Sequence, residues 1–295
     1  MQQKNQESTN LNKFISSTGM CSRRDAEKLI TEGRVTINGK PTQLGNRVHE
    51  KDKVAVDGRV LQAKPKTLYI AFNKPVGVVC TTDSKEKKNI VKYIGHPERL
   101  FPIGRLDKPS DGLIFLTNDG DIVNKILRAG NNHEKEYVVS VDKPITADFV
   151  QKMSSGIPIL GTVTKKCKVV QTGPATFTIV LVQGLNRQIR RMSEHLGYEV
   201  TKLQRTRIMN VSLGKLQKGD WRELTLAEMK EINQMIASSS KTAEASEDVQ
   251  KKSKPSSEKK KGAAPTQFNR KSATFRKKSS TSKRNTSGSF RKRNH

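Results

Sequence analysis

Leu11, Phe14 and Ile15 recur three and four residues apart, the spacing that lines apolar side chains along one helical face, and Gly19 marks its end. Ser22, standing before Arg23, Arg24 and Asp25, predicts an N-cap with an acidic residue at the third helical position. Ala26, Leu29 and Ile30 carry a second apolar stripe that Gly33 can close. The apolar period then drops to two. Val35 to Ile37 runs into Asn38-Gly39, and Val54 and Val56 run into Asp57-Gly58, both signatures of tight hairpin turns. Two short helices followed by small strands make a unit of about 50 residues, near the lower limit for independent folding.

From Leu68 the elements lengthen and begin to alternate. Leu68 to Phe72, Leu113 to Thr117, Tyr137 to Val141 and Phe177 to Val182 are strand-like. Asp121 to Leu127, Thr146 to Met153, Asn186 to His195 and Ala227 to Ile236 are helix-like. The pattern predicts an α+β protein: a small N-terminal domain over 11–62 and a larger mixed α/β domain over 65–237. Residues 1–10 are polar and expected to be disordered. Beyond Ser238 the chain is rich in Lys, Arg and Ser and almost free of aliphatic residues, so 238–295 is expected to be a disordered basic tail.

Charge changes this picture. Of the 295 residues, 56 are Lys or Arg and 28 Asp or Glu, a net of +28. From Ser238 to His295 there are 17 Lys and Arg against 4 Asp and Glu, so +13 belongs to the tail and +15 to the part expected to fold. A tail that only aids solubility does not account for that second excess. A polyanionic partner does, since Lys and Arg gain affinity by releasing counterions condensed on phosphates. Arg23 and Arg24, beside the free backbone N–H groups of a helix start, can grip phosphates, although solvated surface charges would look the same.

Cys21, Cys80 and Cys167 are odd in number and far apart, and the five histidines form no ligand pattern, so neither a disulfide framework nor a metal site is expected. The N-terminus lacks the apolar core of a signal peptide, and no run approaches the ~20 apolar residues of a membrane span. A reducing, cytoplasmic location and no membrane partner are the expectations.

Asp107 lies in a loop bounded by Gly104 and Pro109, just ahead of the apolar run from Leu113. A loop abutting a rigid strand often presents a catalytic side chain, yet a loop aspartate equally often caps a turn. Asp111, Asp119 and Asp121 follow closely, but without the ligand spacing of a calcium-binding loop.

Gly104-Arg-Leu-Asp107, with Gly112-Leu113 and Leu116-Thr-Asn-Asp-Gly120, resembles the signature loop of the RsuA/Rlu group of pseudouridine synthases. His133-Glu-Lys-Glu-Tyr137 is similar to the strand of that group whose Tyr stacks on the target base. Gln183-Gly-Leu-Asn-Arg-Gln-Ile-Arg190-Arg-Met192 is similar to the helix whose Arg pairs with the catalytic Asp. Residues 11–58 resemble an S4 RNA-binding domain. The resemblance implies that Asp107 is the catalytic carboxylate, with Tyr137 and Arg190 beside it. It also implies a catalytic domain built on a central, mostly antiparallel sheet. Arg105, Arg187 and Arg191, next to these residues, join Arg23 and Arg24 as candidate RNA contacts. Lys74-Pro75 resembles a segment near the active site, although a strand-ending turn explains it as well.

Ser110, the segment Arg205-Thr-Arg-Ile-Met-Asn210-Val and the basic tail most resemble the branch of the group that acts on the large ribosomal subunit. That implies a uridine of 23S rRNA, or of its precursor subunit, as substrate, a tRNA anticodon uridine as a second target, and a monomer. Moving a uracil from N1 to C5 attachment imports no group and oxidises nothing, so no cofactor is expected. Without the resemblance, Tyr137 reads as a core aromatic and Arg190 as one of several solvated charges. The rival function is a non-catalytic S4-type ribosome-assembly factor, which would need no Asp, Tyr and Arg in three motifs.

Overall fold

Each apolar stripe of the first 60 residues finds a partner. In the computed structural model, which describes residues 8–62, 66–127 and 132–237, β1 (Thr9–Asn10) leads into α1 (Leu11–Ser17) and α2 (Arg23–Thr31). The small strands β2 (Val35–Ile37), β3 (Lys40–Pro41), β4 (Arg47–Val48), β5 (Val54–Val56) and β6 (Arg59–Val60) follow. Leu11, Ile15, Ala26 and Ile30 of the helices bury against Val35, Val48, Val54 and Val56. Both expected turns form with positive φ at both central positions: Asn38 (53°) and Gly39 (79°), Asp57 (50°) and Gly58 (76°). Ser22 caps α2 through a 3.1 Å bond accepted from the Asp25 N–H.

One expectation fails here. Residues 9 and 10 are not disordered but pair antiparallel with Arg47–Val48, because Arg47 clamps them: its guanidinium donates to Ser8 Oγ (2.6 Å) and Asn10 Oδ1 (2.9 Å). Residues 1–7 and the expected disordered tail, 238–295, lie outside the described residues.

The larger domain opens with β7 (Tyr69–Lys74), α3 (Ile90–Ile94), β8 (Phe101–Ile103), β9 (Asp111–Thr117) and α4 (Gly120–Leu127). Then come β10 (Lys135–Val141), α5 (Ala147–Ser155), the hairpin β11 (Pro158–Ile159) and β12 (Thr162–Val163), β13 (Lys168–Gly173) and β14 (Thr176–Leu181). The chain closes with α6 (Gln188–His195), β15 (Val200–Ile208), β16 (Val211–Ser212), β17 (Trp221–Glu223) and α7 (Leu226–Ile236). The central sheet runs β13-β14-β10-β15-β9-β7-β17, with β8 beside β9 and β16 beside β15. Every pairing is antiparallel except β15 with β9. The α+β class and the mostly antiparallel sheet therefore stand as expected.

Strand β9 is buried along its whole length because both its faces are covered. Leu113 and Phe115 face Ile122, Ile126, Ile232 and Ile236 of α4 and α7. Ile114 and Leu116, one residue out of phase, face Val78, Ile90, Leu100 and Leu106. The β10–β14 half has its own core, where Phe149 and Met153 of α5 and Ile189 and Met192 of α6 cover Val139, Phe177 and Ile179. Within the sheet the halves pair where Gln204 and Arg205 of β15 lie beside Asp111 and Gly112 of β9. Among the described residues no helix is long and apolar enough to cross a membrane.

Candidate active site

The loop that carries Asp107 is held from below. Gly104 turns it at φ 82°, Leu106 is buried, and the Leu106 N–H donates to Cys80 Sγ at 3.3 Å. The Lys108 carbonyl accepts from the Gly77 N–H (2.8 Å), and the Asp107 carbonyl from the Ser110 N–H (3.0 Å). Lys74 supports the segment beneath. Its ammonium, fully buried at the end of β7, donates to the carbonyls of Pro75 and Val78, both at 2.9 Å. Burial lowers its pKa, and Cys80, Asp111 and Asp107 oppose the shift. Lys74 thus both ends the strand and braces the segment against which the Asp107 loop lies.

Above that loop the three sequence motifs meet around one cleft of about 480 Å³. Asp107, Arg105 and Ser110 line it from the loop, Tyr137 and Lys135 from β10, Arg205 from β15, and Arg187 and Arg190 from the start of α6. Leu181 and Leu203 give it an apolar wall. The volume is in the range of small-ligand sites. Tyr137 packs against the cores of both halves of the sheet, so it is a core aromatic as well as a cleft residue.

Asp107 is the only carboxylate among the described lining residues, which also include Arg105, Lys135, Arg187, Arg190 and Arg205. The resemblance implied Arg190 as the partner of Asp107. Arg187, not Arg190, makes the ion pair with Asp107, Nη1 to Oδ2 at 3.9 Å. Arg187 stands at the N-cap of α6 in the left-handed region (φ 50°, ψ 36°), which leaves its side chain at the cleft mouth. Arg190, 8% exposed, is turned inward, where its guanidinium donates to the Val200 carbonyl (2.8 Å) and approaches the Pro109 carbonyl (3.5 Å) and Ser110 Oγ (3.4 Å). It holds the end of the Asp107 loop, and its pKa is lowered by burial and by Arg187 while Asp107 opposes.

The other candidate contacts divide. Arg23 and Arg24 are exposed on the first turn of α2, in the small domain. Arg105 and Arg187 are exposed and line the cleft. Arg191 does not line it. Its guanidinium turns back to the carbonyl (3.1 Å) and Oδ1 (3.4 Å) of Asn186, which makes it a brace for the loop before α6.

Lys135 and Arg205 were missed by the sequence reading. Lys135 precedes Tyr137 by two residues, so strand alternation alone puts both on one face. Arg205 is harder to find, because β15 carries an extra residue at this point. Tyr137 pairs with Arg205 and Glu136 with Arg207, and Thr206 bulges between them. The bulge sends Arg205 to the cleft and Arg207 to Glu134 and Glu136, with which it forms ion pairs.

The family described as RNA pseudouridylate synthase matches residues 68–195, and the S4 domain matches residues 9–54. The chain is 58% identical over 235 residues to the dual-specificity RNA pseudouridine synthase RluF of Escherichia coli (strain K12), covering 79% of this chain and 81% of the relative. It is 36% identical over 231 residues to the ribosomal large subunit pseudouridine synthase B of Bacillus subtilis (strain 168), covering 75% and 94%. A crystal structure of a pseudouridylate synthase superposes with a TM-score of 0.57 at 29% identity, covering 76% of this chain and 99% of that one.

Proposed function

The chain belongs to the RNA pseudouridylate synthase family, and from that we propose that it isomerises a uridine of 23S rRNA, and a tRNA anticodon uridine as a second target, with Asp107 as the catalytic carboxylate. One observation carries the assignment of Asp107: it is the sole carboxylate among the described lining residues of a cleft whose other charged lining residues are cations. When the C1′–N1 bond breaks, the sugar carbon becomes electron-poor, and a carboxylate in the cleft is the group that can answer that charge. Arg187 Nη1 stands 3.9 Å from its Oδ2, and Arg190 fixes the loop end through Ser110.

A stacked uridine hides its glycosidic bond, so the base must leave the helix at a cost of about a few kcal/mol. Tyr137 offers the ring on which the flipped uracil stacks, and its phenol is the base that removes the C5 proton. Arg105 and Arg187 at the mouth suit the flanking phosphates. The working unit in this reading is a monomer, acting in the cytoplasm where its RNA is. A non-catalytic assembly factor would have no use for a lone carboxylate in such a cleft. Incubating 23S rRNA and tRNA with the protein and mapping pseudouridine tests the reading; an unmodified map of both RNAs would sink it.

Tyr137→Phe keeps the stacking ring and loses the phenol. The expected result is unchanged RNA affinity and a turnover lowered about 100-fold, at the low end for loss of a general base. Turnover near that of the unaltered protein would restrict Tyr137 to stacking.

Affinity and site choice are expected to separate from chemistry along the chain. Removing residues 1–60 weakens RNA binding and target selection while the cleft, built entirely from later residues, stays folded. Removing residues beyond Ser238 takes away a net charge of +13 and flattens the dependence of log K on log salt, with the modified uridine unchanged. A shifted pseudouridine map after tail removal would contradict this division.

A further inference from the structure

Lys135 and Arg205 are buried cations to which the fold gives no anion. Arg205 is 4% exposed, and its Nε–H donates to the Leu113 carbonyl at 2.6 Å, but Nη2 is buried with no hydrogen-bond partner. Lys135 is 8% exposed, and its ammonium, which has three donors, makes one bond, to the His133 carbonyl at 3.0 Å. Neither forms an ion pair among the described residues. Burial, and then Arg205 itself, push the pKa of Lys135 down to about 8. Two unneutralised like charges at the inner end of a cleft cost stability, and such arrangements are kept where a site uses them.

Their placement identifies the anion. Both flank Tyr137: Lys135 lies two residues along the same strand, and Arg205 is its cross-strand partner, with Cζ 5.9 Å from the ring centroid. Phosphates belong at the mouth, where Arg105 and Arg187 are exposed. The uracil is the part of the substrate that reaches Tyr137, and it is neutral when it arrives. Breaking C1′–N1 sends the bonding electron pair with the base, where it spreads over N1 and the O2 and O4 oxygens. After the ring turns, C5 donates an electron pair to C1′ to form the new bond. C5 then loses its proton and N1 gains one, leaving the product an isomer with a neutral base.

We infer that Lys135 and Arg205 together form a charge-stabilising site that holds the uracil anion between cleavage and rejoining; the inference rests on the proposed isomerase function. The site faces no charge in the bound substrate and a full one in the intermediate, so it stabilises the transition state more than the ground state.

Three proteins test it: the unaltered chain, Lys135→Met and Arg205→Lys, each assayed for single-turnover rate at saturating RNA, RNA Kd and melting temperature. Lys135→Met should slow the single-turnover step by about 10²–10³, the range seen when one preorganised donor to a developing anion is lost. Its Kd should stay within about threefold, and its melting temperature should hold or rise because a buried charge has gone. Arg205→Lys, which keeps charge but loses the fork of donors, should slow the same step by about tenfold, the order that one bond is worth. An unchanged single-turnover rate in Lys135→Met would overturn the inference. So would a weakened Kd with the saturated rate intact, which would mark a phosphate contact, or a lowered melting temperature, which would make the ammonium structural. Failure of the unaltered protein to make any pseudouridine would instead sink the proposed function.

Discussion

A protein carrying Asp107→Asn should release no measurable tritium from RNA labelled at C5 of uridine, a loss of at least about 10⁴-fold, comparable with removal of a central catalytic group in other enzymes. The amide has nearly the shape of the carboxylate, so the loop held by Cys80, Gly77 and Ser110 has no reason to move. The ion pair that is lost, to Arg187 at 3.9 Å, joins two side chains each about 40% exposed and contributes little to folding. RNA binding should hold or strengthen slightly, because the substitution removes the sole anion among the described residues of a cationic cleft. A filter-binding curve beside the tritium assay separates the two effects. Appreciable tritium release by the variant would remove Asp107 from its role.

Gly112→Ala should be the most destabilising single substitution near the site. Gly112 has φ 105°, and an added Cβ would lie 2.3 Å from the Arg205 carbonyl oxygen and 2.6 Å from its nitrogen. Those atoms are backbone and cannot swing aside. Backbone strain and overpacking of about 1–3 kcal/mol each give a cost of about 4 kcal/mol. For a domain of this size that corresponds to a melting temperature lower by roughly 8–16 °C. The position is one of the two residue pairs that join the halves of the sheet, so the activity of the surviving folded fraction should fall as well. Calorimetry would decide it, and a shift under about 2 °C, the effect of less than 1 kcal/mol, would show that the junction can yield.

Elements whose signal is local were legible in the sequence. Asn38-Gly39 and Asp57-Gly58 need positive φ and announce their turns, and the Ser22 cap and the stripe of Ala26, Leu29 and Ile30 define α2 without help from the rest of the chain. Strand β15 was not legible. Val200 to Ile208 reads Val-Thr-Lys-Leu-Gln-Arg-Thr-Arg-Ile, polar at most positions, although it lies inside the sheet with a neighbour on each side. Its bulge at Thr206 breaks the alternation that would expose it, and its buried Arg205 belongs to the cleft rather than to a core. Similarly, Arg187 and Arg190 both fall in the helix expected over Asn186 to His195. Only the left-handed turn at Arg187 determines which of them reaches Asp107.

The order of strands in the sheet also sets when the protein can work. Strand β15 fills the gap between β9 and β10, yet it is made after both of them. Until it is made, the nascent chain holds two separate pieces, one bearing Asp107 and the other Tyr137, with neither Arg205 nor the junction at Gly112 to bring them together. At about 5–20 residues per second, translation from Asp107 to Ile208 takes on the order of 5–20 s. Through that interval the ribosome is exposing a strongly basic chain beside its own RNA. Because Asp107 has no cleft around it until the last central strand docks, the half-made chain is expected to bind that RNA without modifying it.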